Sequence, residues 1–260
     1  MTFNELQVGL EELAPAELAL EWDNVGLLVG DERQGIHTVY LALDATDEVI
    51  RDAVRCGADI LITHHPLIFH GMKQITMGDF IGRRIQNLVR NGISYYAMHT
   101  NFDVCVMGRL AAERIELESP RVLEVTGEFK GEPCGIGQVG NIASPVSLRE
   151  CAEQVQKQFD VPHVTVYGDL NRQLHRVAIV PGSGKDEIPY AIAAQADVLI
   201  TGDIGHHQGI DAVAQGLCII DAGHYGLEHI FTDYMEEYLT GYASCVEVIK
   251  SGHIMPYEVI

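Results

Sequence analysis

An internal repeat constrains this chain more than any other feature. Val39-Tyr40-Leu41-Ala42-Leu43-Asp44 leads through an amphipathic stretch to Ala58-Asp59-Ile60-Leu61-Ile62-Thr63. Exactly the same layout recurs 138 positions later, where Val177-Ala178-Ile179-Val180-Pro181-Gly182 leads without a gap to Ala196-Asp197-Val198-Leu199-Ile200-Thr201. An apolar run, an amphipathic stretch and a second apolar run make a βαβ unit, with short strands buried on both faces. The likeness continues 124 positions apart, from Gly92-Ile93-Ser94-Tyr95-Tyr96-Ala97 to Gly216-Leu217-Cys218-Ile219-Ile220-Asp221. Helices are expected before these strands, over 79–91 and 206–215, and after them, over 107–117 and 225–239. Each copy also carries a leading helix, over 3–13 and 147–159, and an extra strand, over 26–30 and 163–167. The chain is therefore read as α/β, with α-β-(β-α) units duplicated into two similar lobes. The lobes are layered α/β/α around mixed, mostly parallel sheets. The first repeat is placed at 1–120 and the second at 121–260. Residues 118–146 read as the connection plus one strand near 135–142, and 243–250 as a final strand.

Composition narrows the classes of partner. The formal net charge of −20 repels phosphate backbones, so nucleic acid is not an expected partner. No apolar run reaches the roughly 18 residues of a membrane helix, so no membrane partner is expected. The start, Met1-Thr2-Phe3-Asn4-Glu5-Leu6, lacks a basic region followed by an apolar stretch, and the expected location is the cytoplasm. The six cysteines form no Cys-x-x-Cys pair and read as small buried apolar residues of a reducing compartment.

The chemistry gathers at strand ends, where α/β sheets bind ligands. His64-His65 closes one apolar run, with Pro66 holding His65 extended. His99 closes a second, Asp203 follows a third, and His224 follows a fourth. His224-x-x-x-Glu228 puts two donors on one helix face, and Asp103 stands near the start of a helix, where an N-cap is the ordinary alternative. Three imidazoles, those of His64, His65 and His224, and two carboxylates, those of Glu228 and Asp103, suit Zn²⁺, Mn²⁺ or Fe²⁺ rather than Ca²⁺. Five protein ligands exceed the usual three of one catalytic zinc and fit two divalent ions if a carboxylate bridges.

At these residues the chain resembles a known family. Ile62-Thr63-His64-His65-Pro66-Leu67-Ile68-Phe69, Ala97-Met98-His99-Thr100-Asn101-Phe102-Asp103 and Asp221-Ala222-Gly223-His224-Tyr225-Gly226-Leu227-Glu228 are similar to motifs of the Ngg-interacting-factor-three-like family, as is Glu21-Trp22-Asp23-Asn24-Val25-Gly26-Leu27. Its members are often labelled GTP cyclohydrolase 1 type 2 homologues, and this chain looks like the short bacterial form. Phe102 stands where the family more often has Leu, and His206 where an aromatic residue is common.

The resemblance implies two intertwined lobes, a toroidal homohexamer and a dinuclear metal site. Its metal ligands would be His64, His65, Asp103, His224 and Glu228. Trp22, Asn24, Asp44, His99, Asp203 and His207 would lie near the two ions. The expected function is that of a dinuclear metal-dependent hydrolase, GTP cyclohydrolase-like, acting on a small nucleotide-like substrate. His99 or His207 would move the proton. Without a Gly-rich P-loop, a triphosphate would be held by the metals and by loop donors such as Gly182-Ser183-Gly184-Lys185. The alternative is a non-catalytic metal-binding protein of assembly or regulation.

Overall fold

The computed structural model describes residues 1–253 and 255–258. The chain divides into two compact units: one of residues 1–102 and 231–253, the other of 103–230 with the tail residues 255–258. It builds most of the first unit, then the second, and returns to the first with its last helix and strand.

The first unit opens with α1 (Phe3–Leu13), held by a capping box: Thr2 Oγ1 accepts from Glu5 N–H, and Glu5 Oε2 from Thr2 N–H. Next come β1 (Gly26–Val29), β2 (Thr38–Ala42), α2 (Asp47–Arg55), β3 (Ile60–Thr63), α3 (Phe80–Arg90), β4 (Ser94–Ala97) and the single turn α4 (Thr100–Phe102). Thr46 and Asp79 cap α2 and α3, and Arg55 and Arg90 sit in their last turns against the helix dipoles.

The second unit starts with a π-turn (Asp103–Met107), continued by α5 (Gly108–Arg114), β5 (Glu118–Phe129), β6 (Glu132–Ser147), α6 (Leu148–Gln158), β7 (Thr165–Tyr167) and β8 (Gln173–Ser183). It ends with α7 (Ile188–Ala193), β9 (Val198–Gly202), α8 (His206–Ala214), β10 (Cys218–Asp221) and α9 (His224–Glu228). The returning elements are α10 (Ile230–Tyr242) and β11 (Glu247–Lys250).

Each unit holds one mixed sheet. The order in the first is β1-β4-β3-β2-β11, with β1 the only antiparallel member. In the second it is β5-β6-β8-β9-β10-β7, where β8, β9 and β10 are parallel, β7 pairs antiparallel at one edge, and β6 and β5 add antiparallel at the other. The block β1-β4-β3-β2 thus recurs as β7-β10-β9-β8, and the hydrogen bonds repeat with it. Asp59 Oδ2 accepts from the N–H groups of His37 and Thr38 at 2.7 and 2.9 Å. Asp197 Oδ2 does the same for His175 and Arg176 at 2.8 and 3.0 Å. The leading helix α6 has its own capping box, Ser147 with Glu150.

Strand alternation divides the core residues between faces. In the first sheet Tyr40, Ala42, Leu61, Tyr95 and Ala97 pack with Ile50 and Ala53 of α2 and Ile85 and Leu88 of α3. Tyr96 points the other way, to Phe3 of α1 at 6.1 Å between ring centres. The second sheet buries Ala178, Val180, Leu199 and Ile219 against Ile188 and Ala191 of α7 and Ala212 of α8. Among the described residues no helix is long and apolar enough to cross a membrane.

Three expectations need correction. The segment 118–146 holds two paired strands rather than one, joined at Lys130-Gly131, whose φ angles of 53° and 84° make the tight turn. The helix expected over 107–117 stops at Arg114 and is preceded by the π-turn. The helix expected over 225–239 is two helices. His229 stands at the break, and its Nδ1 donates to the Gly226 carbonyl at 2.9 Å, so a side chain caps the end of α9.

Candidate metal centre

In the first unit three imidazoles meet where β3 and β4 end. His64 and His65 follow β3, and His99 follows β4 by two residues. Their ring centres lie 5.0 Å (His64–His65), 5.2 Å (His64–His99) and 5.6 Å (His65–His99) apart. One ring nitrogen of each lies within 4.8 Å of the others, close enough to share an ion. The turn that presents them is fixed from below. Thr63 Oγ1 donates to the His65 carbonyl at 2.8 Å, and the buried Tyr95 hydroxyl accepts from Leu67 N–H at 2.8 Å. Burial pushes the Tyr95 hydroxyl's pKa well above its ordinary value.

The far side of each ring is committed to an oxygen. His64 Nδ1 is 2.8 Å from the Met98 carbonyl, which can only accept, so Nδ1 carries the hydrogen and Nε2 the lone pair. His65 Nδ1 is 2.8 Å from Asp44 Oδ1, and His99 Nδ1 is 2.9 Å from Asp23 Oδ1. Asp23 also accepts from the N–H and hydroxyl of Thr100, at 2.9 and 2.5 Å. Burial raises its pKa, but the hydrogen bond and charge of His99 and the bonds from Thr100 outweigh burial and hold it at about 2. Asp23 is therefore an anion at any working pH.

In the second unit the same device recurs at the ends of β9 and β10. His224 Nδ1 is 2.8 Å from Asp203 Oδ2, and its Nε2 is 2.9 Å from Glu228 Oε2 on the next turn of α9. Asp203 adopts a left-handed φ of 59°, a conformation that Asp tolerates better than most residues. Asp221 holds both flanking loops, accepting from Ile204 N–H and Gly223 N–H at 2.9 Å each. Asp103 and Glu228 each place a carboxylate oxygen within 4.8 Å of the other, and Glu228 is 3% exposed.

Gly182 makes room for this carboxylate. A Cβ there would stand 2.3 Å from Glu228 Oε1. Gly182 opens the segment Gly182–Lys185 that was expected to help hold an anion, and its neighbour is this carboxylate.

The donor sets suit divalent cations. Two carboxylates at this separation, one of them buried, disfavour joint ionisation unless a positive charge lies between them. Imidazoles whose Nδ1–H is bound by carboxylate or carbonyl oxygen present Nε2 as the ligand atom, the arrangement typical of metal-binding histidines. Zn²⁺, Mn²⁺ and Fe²⁺ accept this mix of nitrogen and oxygen.

The remaining sequence candidates fall in several places. Trp22 is 5.9 Å from the His99 ring, centre to centre, and Asn24 Nδ2 donates to the Ile68 carbonyl at 2.6 Å. His207 is exposed in the first turn of α8, with its ring centre 5.2 Å from that of His206. Sequence reasoning passed over Asp23 and gave Gly182 a different role, as a loop donor. Asp23 lay inside the quoted Glu21–Leu27 motif, between two residues that were singled out. Gly182 carried a quieter signal, as the position matching Asp44 in the repeat.

The chain is similar to several known proteins. A GTP cyclohydrolase 1 type 2 homolog of Clostridium perfringens is 36% identical over 237 residues, covering 88% of this chain and 87% of that protein. Its namesake in Clostridium acetobutylicum is 32% identical over 256 residues, covering 96% and 95%. A Bacillus cereus protein related to NIF3 superposes with a TM-score of 0.91 at 25% identity, covering 100% of this chain and 99% of that one. Reduced HcgD from Methanocaldococcus jannaschii gives a TM-score of 0.82 at 31% identity, covering 96% and 97%. The profile of the Duf34/NIF3 (NGG1p interacting factor 3) family matches residues 1–254, and the chain belongs to that family.

Proposed function

We propose that this protein is a dinuclear metal-dependent hydrolase acting on a small nucleotide-like substrate. His64, His65, Asp103, His224 and Glu228 are the proposed protein ligands of two divalent ions, Zn²⁺, Mn²⁺ or Fe²⁺. One observation carries the reading: His64, His65, His99 and His224 each have Nδ1 bound to an oxygen, which makes Nε2 the atom that each would offer to a metal or a proton. Bound divalent ions supply Lewis acidity and bring the pKa of a water to about 7.

The chain's own residues do the rest. Asp44, Asp23 and Asp203 fix the orientation of their imidazoles, as partners of metal-binding histidines do. His99 carries the proton in this reading, because Asp23 holds its Nδ1 and leaves Nε2 open to accept. His207 is the second candidate for that role. The names of the relatives point to GTP as the first substrate to try, with hydrolytic opening of the purine at C8 and release of formate. The family reading carries with it a toroidal homohexamer and a cytoplasmic location.

Metal analysis tests the ligands. The purified protein is expected to hold two equivalents, falling to one or none in Asp103→Ala and Glu228→Ala. Two full equivalents in both variants would remove these residues from the site. Metal-loaded protein is then assayed for formate release from GTP and for turnover of a nucleotide panel. Inertness throughout, with both ions bound, would transfer the reading to the non-catalytic metal-binding protein. Sedimentation reads the oligomeric state directly.

A further inference from the structure

Beside the three imidazoles of the first unit lie two aromatic side chains that folding has left in water. Trp22 is 57% exposed and Phe69 41% exposed. Burying either would stabilise the fold by about 2 kcal/mol, so their exposure needs a reason. They are not loose. Trp22 is followed by Asp23, bound to His99 and Thr100, and by Asn24, whose Nδ2 donates to the carbonyl of Ile68 at 2.6 Å. Ile68 precedes Phe69, so this one bond ties the two aromatic segments together. The rings meet at 5.7 Å with a tilt of 49°. Trp22 stands edge-on to His99 at 5.9 Å, and Phe69 stands 6.4 Å from the same ring.

We infer that Trp22 and Phe69 form a stacking shelf for a planar aromatic heterocycle, the base of the nucleotide-like substrate. This deepens the reading above and rests on it for the placement of the reacting group at the metals. The shelf is about one ring's breadth from His99, which is itself 5.2 and 5.6 Å from His64 and His65. A ligand with one polar group at the imidazoles can therefore lay a fused ring on Trp22. An indole face is sequence-tolerant toward bases, and stacking on it is worth about 1–3 kcal/mol per base. The shelf selects for a flat ring, while discrimination between bases is left to polar groups elsewhere.

Trp22 is the only tryptophan of the chain, so its fluorescence reports on this place alone. The metal-loaded protein is titrated with GMP and, separately, with ribose 5-phosphate, which has the phosphate and sugar but no ring. GMP is expected to quench the emission saturably and ribose 5-phosphate to leave it unchanged. By equilibrium dialysis, Trp22→Ala and Phe69→Ala are expected to weaken GMP binding about 5- to 100-fold, Trp22→Phe less, all with unchanged metal content and circular dichroism. Equal GMP affinity in wild type and Trp22→Ala would overturn the inference. So would emission that changes on protein dilution but not with GMP, which would mean that a second copy of the chain covers the shelf. The hydrolase reading fails separately. Quenching by GMP without turnover of any nucleotide keeps the shelf and removes the hydrolase. Turnover of GTP with the same kcat/KM in Trp22→Ala does the reverse.

Discussion

Glu187, just ahead of α7, shows how one side chain can set a pH dependence. Its Oε2 is buried and has no hydrogen-bond partner among the described residues. Burial pushes its pKa up to about 7, opposed by its own backbone N–H and helped by the charges of Glu124, Asp186 and Asp103. The folded state therefore holds a proton more tightly than the unfolded chain, whose Glu titrates near 4.5. Stability is unaffected well below that value, falls as pH rises from about 4.5 to 7, and stays lower above 7. In a fully buried group such a shift would be worth about 3 kcal/mol; partial exposure lets water screen it to about 1–2 kcal/mol. Glu187→Gln removes the ionisation. Its melting temperature relative to wild type is expected to rise by about 2–5 °C between pH 5 and pH 8. A difference that stays flat across that range would rule out a buried titrating carboxylate.

At this scale the sequence was most legible where the residue type was unusual for its place. Histidines at the ends of apolar strands stand out, and the rings of His64, His65 and His99, picked out this way, lie together in the fold. Asp23 was not, because its partner His99 is 76 residues away and only folding brings them together. Glu187 carried no signal either, since a glutamate near a helix start looks like an ordinary solvated residue until its surroundings are known.

At the scale of elements, the end of β8 departs from its counterpart just after β2. Asp44 supports His65 there, while at the matching position of the second copy Gly182 clears space for Glu228. Two costs attach to a side chain at Gly182: a φ of +77° and a Cβ 2.3 Å from Glu228 Oε1. Gly216 separates them, because its φ is +89° but nothing lies within 4 Å of an added Cβ. Gly216→Ala is expected to cost the backbone strain alone, about 1 kcal/mol. Gly182→Ala should cost more, about 2–3 kcal/mol, and should also lower metal content by moving Glu228. Equal destabilisation in the two variants, with metal retained in both, would show that the Glu228 carboxylate is free to shift. The repeated elements themselves were legible from apolar periodicity, and α1, α3, β2 and β3 stand close to their expected bounds. The long hairpin was half missed because β5 is mostly exposed and shows no apolar alternation. The break between α9 and α10 was missed because it is made by the bond from His229 to Gly226, which leaves no mark in the pattern.

For the molecule as a whole, charge and duplication act together. The gapless spacing announced two copies of one unit, but not that α10 and β11 return to the first, since β11 pairs with β2 across more than 200 residues of chain. A strand added at a sheet edge has no period to betray its partner. The net charge of −20 loads the folded state with repulsion, and Asp103 and Glu228 concentrate part of it within 4.8 Å. In the proposed holoprotein two divalent ions offset four of these charges where the dielectric is lowest. A ligand present at 1,000 times its dissociation constant stabilises by about 4 kcal/mol. Stripping the ions with a chelator is therefore expected to lower the melting temperature by roughly 5–10 °C in a protein of this size. Salt separates the two sources of repulsion. Raising ionic strength from about 0.05 to 0.5 M screens surface charges over a shorter Debye length and should stabilise both forms alike. It should leave the gap between stripped and loaded protein nearly intact, because buried pairs are poorly screened. A gap that closes with salt would mean that the ions act as general counterions on an acidic surface and occupy no dedicated centre.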